Sequence, residues 1–380
     1  MAPNSKLNAK RKAQREANKA PKPRPERRSA EETKVDVQPS IPLELQQLLL
    51  NIFRNSFAER LSVDFGPLLQ EVKGHLYNRD FATAFGKDEY LEMYAARWSP
   101  SRALGYLDLF WSLREELELE SKYPSSEVDG ASEDKSRKIV CLGGGAGAEI
   151  VALGGLQKLL SSKVSDQEKG EEQEEEQTKT NAKKVEVTAL DMADWNVVVE
   201  NLANHLTTAP TLSKYASAAA KAANVPFLDP EQISVTFRQQ DVLQASTSVL
   251  TSELAEANLV TLLFTLNELY STSLPLTQKF LLQITSIMKP GSLLLVVDSP
   301  GSYSSVTLNG AEKKYPMQWL LDHTLLEQAS SNKNERGKDE TARWEKVKED
   351  DSRWFRLDDK LNYPIELENM RMQMHLYRRI

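Results

Sequence analysis

The sequence predicts an α/β protein: a Rossmann-like, doubly wound, mostly parallel sheet with a helical N-terminal subdomain. Three observations carry that prediction. The first is the apolar run Ile139-Val140-Cys141-Leu142, which breaks into Gly143-Gly144-Gly145-Ala146-Gly147: a buried strand, a tight turn and a helix start. The second is the alternation of short strand-like runs with longer helical stretches from residue 137 to residue 380. The third is the helical spacing ahead of it. Leu45, Leu48, Leu49, Ile52, Phe53, Phe57 and Leu61 recur on one face, and no strand-like alternation intrudes between 41 and 122.

Residues 1–40 have few large apolar side chains and many charges and prolines, and are expected to be a disordered basic arm. Within the first 30 residues ten Lys and Arg stand against Glu16 and Glu26. The overall net charge of −7 hides this, because an acidic run around Glu171-Glu172-Gln173-Glu174-Glu175-Glu176 offsets it. Prolines at 21, 23 and 25 forbid an amphipathic presequence helix, which favours a nuclear address or an RNA-binding arm over a mitochondrial one. A merely solvated tail is the alternative.

From residue 41 the periodicity predicts further helices over 65–77, 88–96 and 101–119. Ser99-Pro100 is expected to break one helix and start the next, with Ser99 as N-cap. Arg97, Trp98, Arg102 and Tyr106 gather at that junction. They suit either phosphate and base contacts or a hinge packed on the sheet. After a polar linker, the core is expected over 137–380. Its strands fall at 138–142, 185–190, 233–239, 259–264 and 293–297, with helices at 148–160, 195–206, 212–223 (broken), 245–257 and 276–288. A disordered acidic insertion is expected over 161–184 and a second polar one over 328–342. Trp354-Phe355-Arg356-Leu357 and the run 370–377 are expected to pair as a terminal antiparallel hairpin.

The chemistry-bearing residues sit at strand ends, where open α/β sheets collect their ligands. Gly143, Gly144, Gly145 and Gly147 form a turn that a nucleotide approaches closely because no Cβ intervenes. The spacing Gly143-x-Gly145-x-Gly147 suits S-adenosylmethionine, and Gly143-x-Gly145-x-x-Ala148 also satisfies a relaxed dinucleotide fingerprint. Asp191, followed by Met192, ends the second strand where a carboxylate accepts from ribose hydroxyls; without the acidic insertion its interval from the glycines is normal. A helix cap is its plainer role. Asp241-Val242 ends the third strand and suits an adenine amino group or an N-cap. Asn267 and Glu268 follow the fourth strand, facing a transferred group or its acceptor, or simply beginning a helix. Lys289-Pro290-Gly291 and the terminal hairpin favour a methyltransferase over a dehydrogenase.

Other chemistries find no support in the residues. One cysteine, Cys141, allows no intrachain disulfide. His75, His205, His323 and His375 have no zinc-like spacing, and no Ser-His-Asp arrangement stands out. No apolar stretch approaches a membrane span, and the basic N-terminus lacks the apolar core of a secretory signal.

With the glycine turn, Asp191, Asp241, Asn267-Glu268 and Lys289-Pro290-Gly291 in that order, the chain resembles the class I S-adenosylmethionine-dependent methyltransferases. Arg97-Trp98-Ser99-Pro100-Ser101-Arg102-Ala103-Leu104, the segment Cys141-Leu142-Gly143-Gly144-Gly145-Ala146-Gly147-Ala148-Glu149 and Thr265-Leu266-Asn267-Glu268-Leu269-Tyr270 further resemble the fungal large-subunit ribosomal RNA (uridine-N3)-methyltransferases. The resemblance spans residues 41–380. It implies S-adenosylmethionine as cofactor, no metal, and ribosomal RNA or a pre-ribosomal particle as partner. The basic arm is expected to direct nuclear and nucleolar accumulation with a small cytoplasmic pool, and the protein is expected to be a monomer. A protein or small-molecule methyltransferase, or a degenerate assembly scaffold, is the alternative. Cys141 departs from the common pattern, in which an acidic residue precedes the first glycine by two. Arg97 or a backbone carbonyl is then expected to secure the methionine end of the cofactor.

Overall fold

Five parallel strands and a terminal antiparallel pair form one sheet in the order β3-β2-β1-β4-β5-β9-β8. The computed structural model describes residues 41–117, 136–168, 183–308, 311–330 and 342–380. The expected basic arm lies outside them. The strands are β1 (Arg137–Leu142), β2 (Val185–Asp191), β3 (Ile233–Gln239), β4 (Leu259–Leu263) and β5 (Leu293–Asp298), then β8 (Trp344–Phe355) and β9 (Met370–Arg379). The chain runs outward from β1 through β2 to β3, then returns to β4 on the other side of β1. That reversal makes a crevice at the carboxyl ends of β1 and β4, the usual ligand position in such sheets.

Alternation along each strand feeds two separate cores. Ile139 and Cys141 join one hydrophobic cluster, Val140 and Leu142 the other; Leu293, Leu295 and Val297 alternate with Leu294 and Val296 in the same way. The first face is covered by α1 (Leu43–Ser56), α5 (Asp88–Ser112), α6 (Ala148–Glu168) and α7 (Asn196–Thr207), through Leu49, Leu107, Leu153 and Leu202. The N-terminal helices thus share a core with the sheet. Between α1 and α5 lie the shorter α2 (Ala58–Ser62), α3 (Gly66–Tyr77) and α4 (Phe81–Ala84). The second face is covered by α9 (Thr247–Leu254), α10 (Leu266–Thr272), α11 (Leu274–Ile287) and α12 (Met317–Asp322), through Leu250, Leu266, Phe280 and Leu321. On α1, Leu45, Leu49, Ile52 and Phe53 are buried as the periodicity requires, but Leu48 is 48% exposed.

Several boundaries differ from expectation. The expected break at Ser99-Pro100 does not occur: α5 is continuous through Pro100. A proline at position 100 cannot donate to the Ala96 carbonyl, and that carbonyl accepts instead from the Tyr363 hydroxyl at 2.9 Å. The acidic insertion begins later than expected, since α6 continues to Glu168; residues 169–182 lie outside the described set. The broken stretch at 212–223 keeps only α8 (Ala218–Ala222). A second hairpin, β6 (Tyr303–Leu308) with β7 (Ala311–Pro316), was not expected. The terminal antiparallel hairpin forms with Phe355 opposite Met370, but its first strand runs from Trp344 to Phe355, ten residues earlier than expected at its start and without Arg356 and Leu357. Gly105 lets that hairpin approach α5, because a Cβ there would lie 2.2 Å from Met370 Cε.

Candidate cofactor and acceptor site

The glycine turn is locked from every side by close packing. Gly143 and Gly147 adopt φ of +75° and +79°, conformations that a side chain resists. A Cβ at Gly143 would lie 2.3 Å from Thr265 Oγ1, and one at Gly145 would lie 2.1 Å from Trp195 Cδ1. At Gly144 it would lie 2.6 Å from Glu149 Oε2. The Gly143 N–H donates to the Leu190 carbonyl at 2.7 Å, which ties the turn to the end of β2.

Asp191 stands across that turn. Its carboxylate accepts from the Gly145 N–H at 3.2 Å and the Ala193 N–H at 3.3 Å. Burial pushes its pKa up to about 6, against those hydrogen bonds, which favour the charged form. Met192 beside it is 62% exposed. Asp241 accepts from the Leu243 N–H at 2.9 Å in a local turn, with Val242 buried next to it. The cap of α9 is Ser246, which accepts from the Val249 N–H, so capping is not the role of Asp241.

The β4 end carries strain. Phe264 has φ of +57°, a conformation costing a bulky residue roughly 1–3 kcal/mol. It brings Thr265 against Gly143 and starts α10, so Asn267 and Glu268 lie in a helical first turn. Asp298, from the end of β5, accepts from the Asn267 N–H at 3.0 Å, the Ser299 N–H at 2.8 Å and the Ser302 hydroxyl at 3.3 Å. Burial raises its pKa. The Asn267 side-chain Oδ1 is buried without a partner among the described residues. Glu268 is half exposed and pairs with Arg79 at 2.5 Å.

Helix α5 closes the crevice. The Ser99 hydroxyl donates to the Ala146 carbonyl, within the glycine turn, at 2.7 Å. Arg97 does not stand free to hold a cofactor: it is buried, paired with Glu368 and laid against the Trp98 ring. One turn on from Ser99, Arg102 donates to the Tyr94 hydroxyl at 2.8 Å, and its guanidinium lies over both the Tyr94 and Phe264 rings. Phe85, Tyr94, Trp98 and Trp195 form a contiguous aromatic cluster beside Gly145, with ring centroids 4.8–5.7 Å apart.

Glu149, in the first turn of α6, escaped sequence reasoning. It is 2% exposed and accepts from the Thr261 hydroxyl at 3.2 Å, while Oε2 has no partner among the described residues. Burial pushes its pKa up to about 8. The one available signal was the missing carboxylate at Cys141.

A glycine cradle whose positions admit no side chain, a strand-end acid at its rim and an unpartnered buried carboxylate beneath it fit an adenosine cofactor carrying an amino acid. Among the described residues no group of three His, Cys, Asp or Glu is placed to hold a metal ion. No helix among them is long and apolar enough to cross a membrane.

Comparison with known proteins agrees. Over 342 residues the chain is 35% identical to the 25S rRNA (uridine(2843)-N(3))-methyltransferase of Saccharomyces cerevisiae, covering 87% of this chain and 85% of that protein. Among solved structures it is similar to an S-adenosylmethionine-dependent methyltransferase from Clostridium acetobutylicum, at 10% identity and a TM-score of 0.32 over 73% of this chain and 91% of that one. It is also similar to the N-methyltransferase NodS of Bradyrhizobium japonicum in complex with S-adenosyl-L-homocysteine, at 10% identity and a TM-score of 0.28 over 64% and 78% of the two chains. The family described as "Putative SAM-dependent methyltransferase" matches residues 53–378, and the chain belongs to it.

Proposed function

We propose that this S-adenosylmethionine-dependent methyltransferase acts on ribosomal RNA, at N3 of a uridine in the large subunit. The observation that carries the acceptor is the 35% identity to the yeast 25S rRNA uridine-N3 enzyme, which extends over 342 residues and 87% of this chain. The basic residues of segment 1–30 supply phosphate contacts that add affinity without reading sequence. A pre-ribosomal particle in the nucleus or nucleolus, met by a monomer, is the setting this reading implies.

Bound S-adenosylmethionine supplies an electrophilic methyl group on a sulfonium. Gly143, Gly144, Gly145 and Gly147 cradle it, Asp191 with Met192 takes its ribose, and Asp241 with Val242 takes its adenine. The acceptor imposes the rest. Uracil N3 carries a proton and lies on the Watson–Crick edge, so the base must be unpaired or extruded, and the proton must leave before the ring nitrogen has a lone pair to offer. Glu268 is the carboxylate at the β4 end that accepts this proton, and Arg79 holds its side chain in place. The Asn267 side chain polarises a carbonyl beside N3, its backbone fixed by Asp298. Alignment then does the remaining work, since the transfer needs neither metal nor covalent nucleophile.

The test is nucleoside mass spectrometry of large-subunit RNA from cells lacking this protein, joined to an in vitro assay with purified protein and unmodified RNA. Loss of 3-methyluridine in the cells, and its appearance in vitro, is the expected pair. Unchanged 3-methyluridine together with methylation of a protein or metabolite would overturn the assignment.

A further inference from the structure

Cys141, buried near the end of β1, brings no charge to the glycine turn, and a carboxyl reaches it from elsewhere. Glu149 reaches back from α6 so that its carboxylate lies under Gly144, in contact range of Cys141 and bonded to Thr261 of β4. One oxygen accepts from Thr261, and Oε2 has no donor among the described residues stronger than the Cys141 thiol that touches the carboxyl. A buried carboxyl oxygen without a strong donor is costly, and a bound cation is a partner that offsets that cost.

The opposite charge comes from the helix that touches the turn. Arg102 stands on α5 one helical turn from Ser99, whose hydroxyl is bonded to the Ala146 carbonyl. Among the described residues its only hydrogen bond is to a neutral phenol, and no carboxylate lies within salt-bridge distance; Glu368 acts on it only from further off. Its neighbour Arg97 has Glu368, which makes the contrast plain. Aromatic faces of Tyr94 and Phe264 hold the Arg102 guanidinium flat, and Phe264 leads directly into the Thr265 that crowds Gly143. Tyr106, a further turn along α5, lies within electrostatic reach of both Arg102 and Glu149. A cation without a salt bridge and a buried acid with one oxygen short of a strong donor therefore sit on two helices packed against one glycine turn.

We propose that Glu149 and Arg102 form a zwitterion clamp for the amino-acid end of the cofactor, Glu149 taking the α-ammonium and Arg102 the α-carboxylate. This rests on the methyltransferase reading and deepens it. The glycine at 144 is part of the device, since any side chain there would stand against Glu149 Oε2. The clamp discriminates: a nucleoside lacking the amino acid gains nothing from it.

The experiment measures calorimetric affinity of the full-length protein for two ligands. S-adenosylhomocysteine carries the amino acid; 5′-methylthioadenosine has the same nucleoside and thioether without it. Glu149→Gln and Arg102→Gln should each weaken S-adenosylhomocysteine by about 10–100-fold, the usual effect of losing a hydrogen bond to a charged group. 5′-Methylthioadenosine affinity should stay within about twofold in both. The paired exchange Cys141→Asp with Glu149→Ala, which returns the carboxylate to the strand end, should recover part of the loss. Equal weakening of both ligands would show a merely structural role and overturn the clamp. So would unchanged S-adenosylhomocysteine affinity, or an Arg102→Gln protein that loses only RNA binding, which would mean that a phosphate was its anion. Wild-type protein binding neither ligand would overturn the methyltransferase reading as well.

Discussion

The Ala96 carbonyl offers a sharp test of how α5 tolerates Pro100. In an unbroken helix that carbonyl would accept from the N–H at position 100, which proline lacks, and Tyr363 donates in its place at 2.9 Å. Burial raises the Tyr363 pKa, so its hydroxyl stays a donor at any working pH. Tyr363→Phe keeps the ring and removes only the O–H, leaving an acceptor on a fully buried residue unsatisfied at a cost of about 1–3 kcal/mol. Pro100→Ala restores the helical N–H. In that background Tyr363→Phe should cost less by about 1 kcal/mol, because Ala96 already has its donor. The assay is a double-mutant cycle by urea unfolding with four proteins and no ligand. If the two substitutions add to within about 0.5 kcal/mol, Tyr363 is not the replacement donor and the account of the unbroken helix is wrong.

Other expectations follow from the same contacts. Asp191→Asn should weaken S-adenosylhomocysteine by about 1–3 kcal/mol in calorimetry. Wild-type affinity should also fall below the Asp191 pKa of about 6, as its acceptor oxygens protonate, and Asp191→Asn should remove that pH dependence. Glu149 has its folded-state pKa raised from 4.5 to about 8, so its contribution to stability is fully present below 4.5 and is lost as pH rises towards 8. The melting temperature of ligand-free Glu149→Gln should therefore fall less than wild type between pH 6 and 8.5. Glu268→Gln should lower kcat about 10²–10⁴-fold with cofactor affinity unchanged; a loss confined to KM would make it a binding residue. Deleting residues 1–30 should weaken RNA affinity and flatten its salt dependence, read by titration from low to high salt.

Much of the core was legible because its signals are local. A strand buried on both faces reads as an apolar run, so β1, β4 and β5 lie within one residue of expectation at each end. The strand-end acids were legible for the same reason, since the topology brings every such end to one crevice. What escaped depends on partners distant in sequence. Pro100 reads locally as a helix break, and only Tyr363 explains why it is not one. Arg97 and Arg102 look alike in sequence; Glu368 forms a salt bridge with the first, while the second hydrogen-bonds the Tyr94 hydroxyl. Glu149 reads as an acid favoured by the helix dipole, and its burial under Gly144 becomes visible only when α6 is set against β1 and β4. The β6–β7 hairpin did have a signal, the Asn309-Gly310 pair that follows the alternating run Val306-Thr307-Leu308.

The segment between β8 and β9 is joined to the glycine turn through α5. Tyr363 holds the Ala96 carbonyl, the Glu368 N–H donates to the Ser101 hydroxyl at 3.1 Å, and Glu368 pairs with Arg97. On the opposite side of the same helical turn, Ser99 holds Ala146. Pro100 lies at the centre of these bonds, and its missing N–H is what leaves the Ala96 carbonyl open to a residue so far along the chain. A helix broken at that point would place Ser99 and Ser101 on separate elements, and the glycine turn would lose its fixed relation to Arg102. The unbroken α5 therefore has a positional consequence: it sets one cation and one glycine turn at a constant spacing, as recognition of a small zwitterion requires.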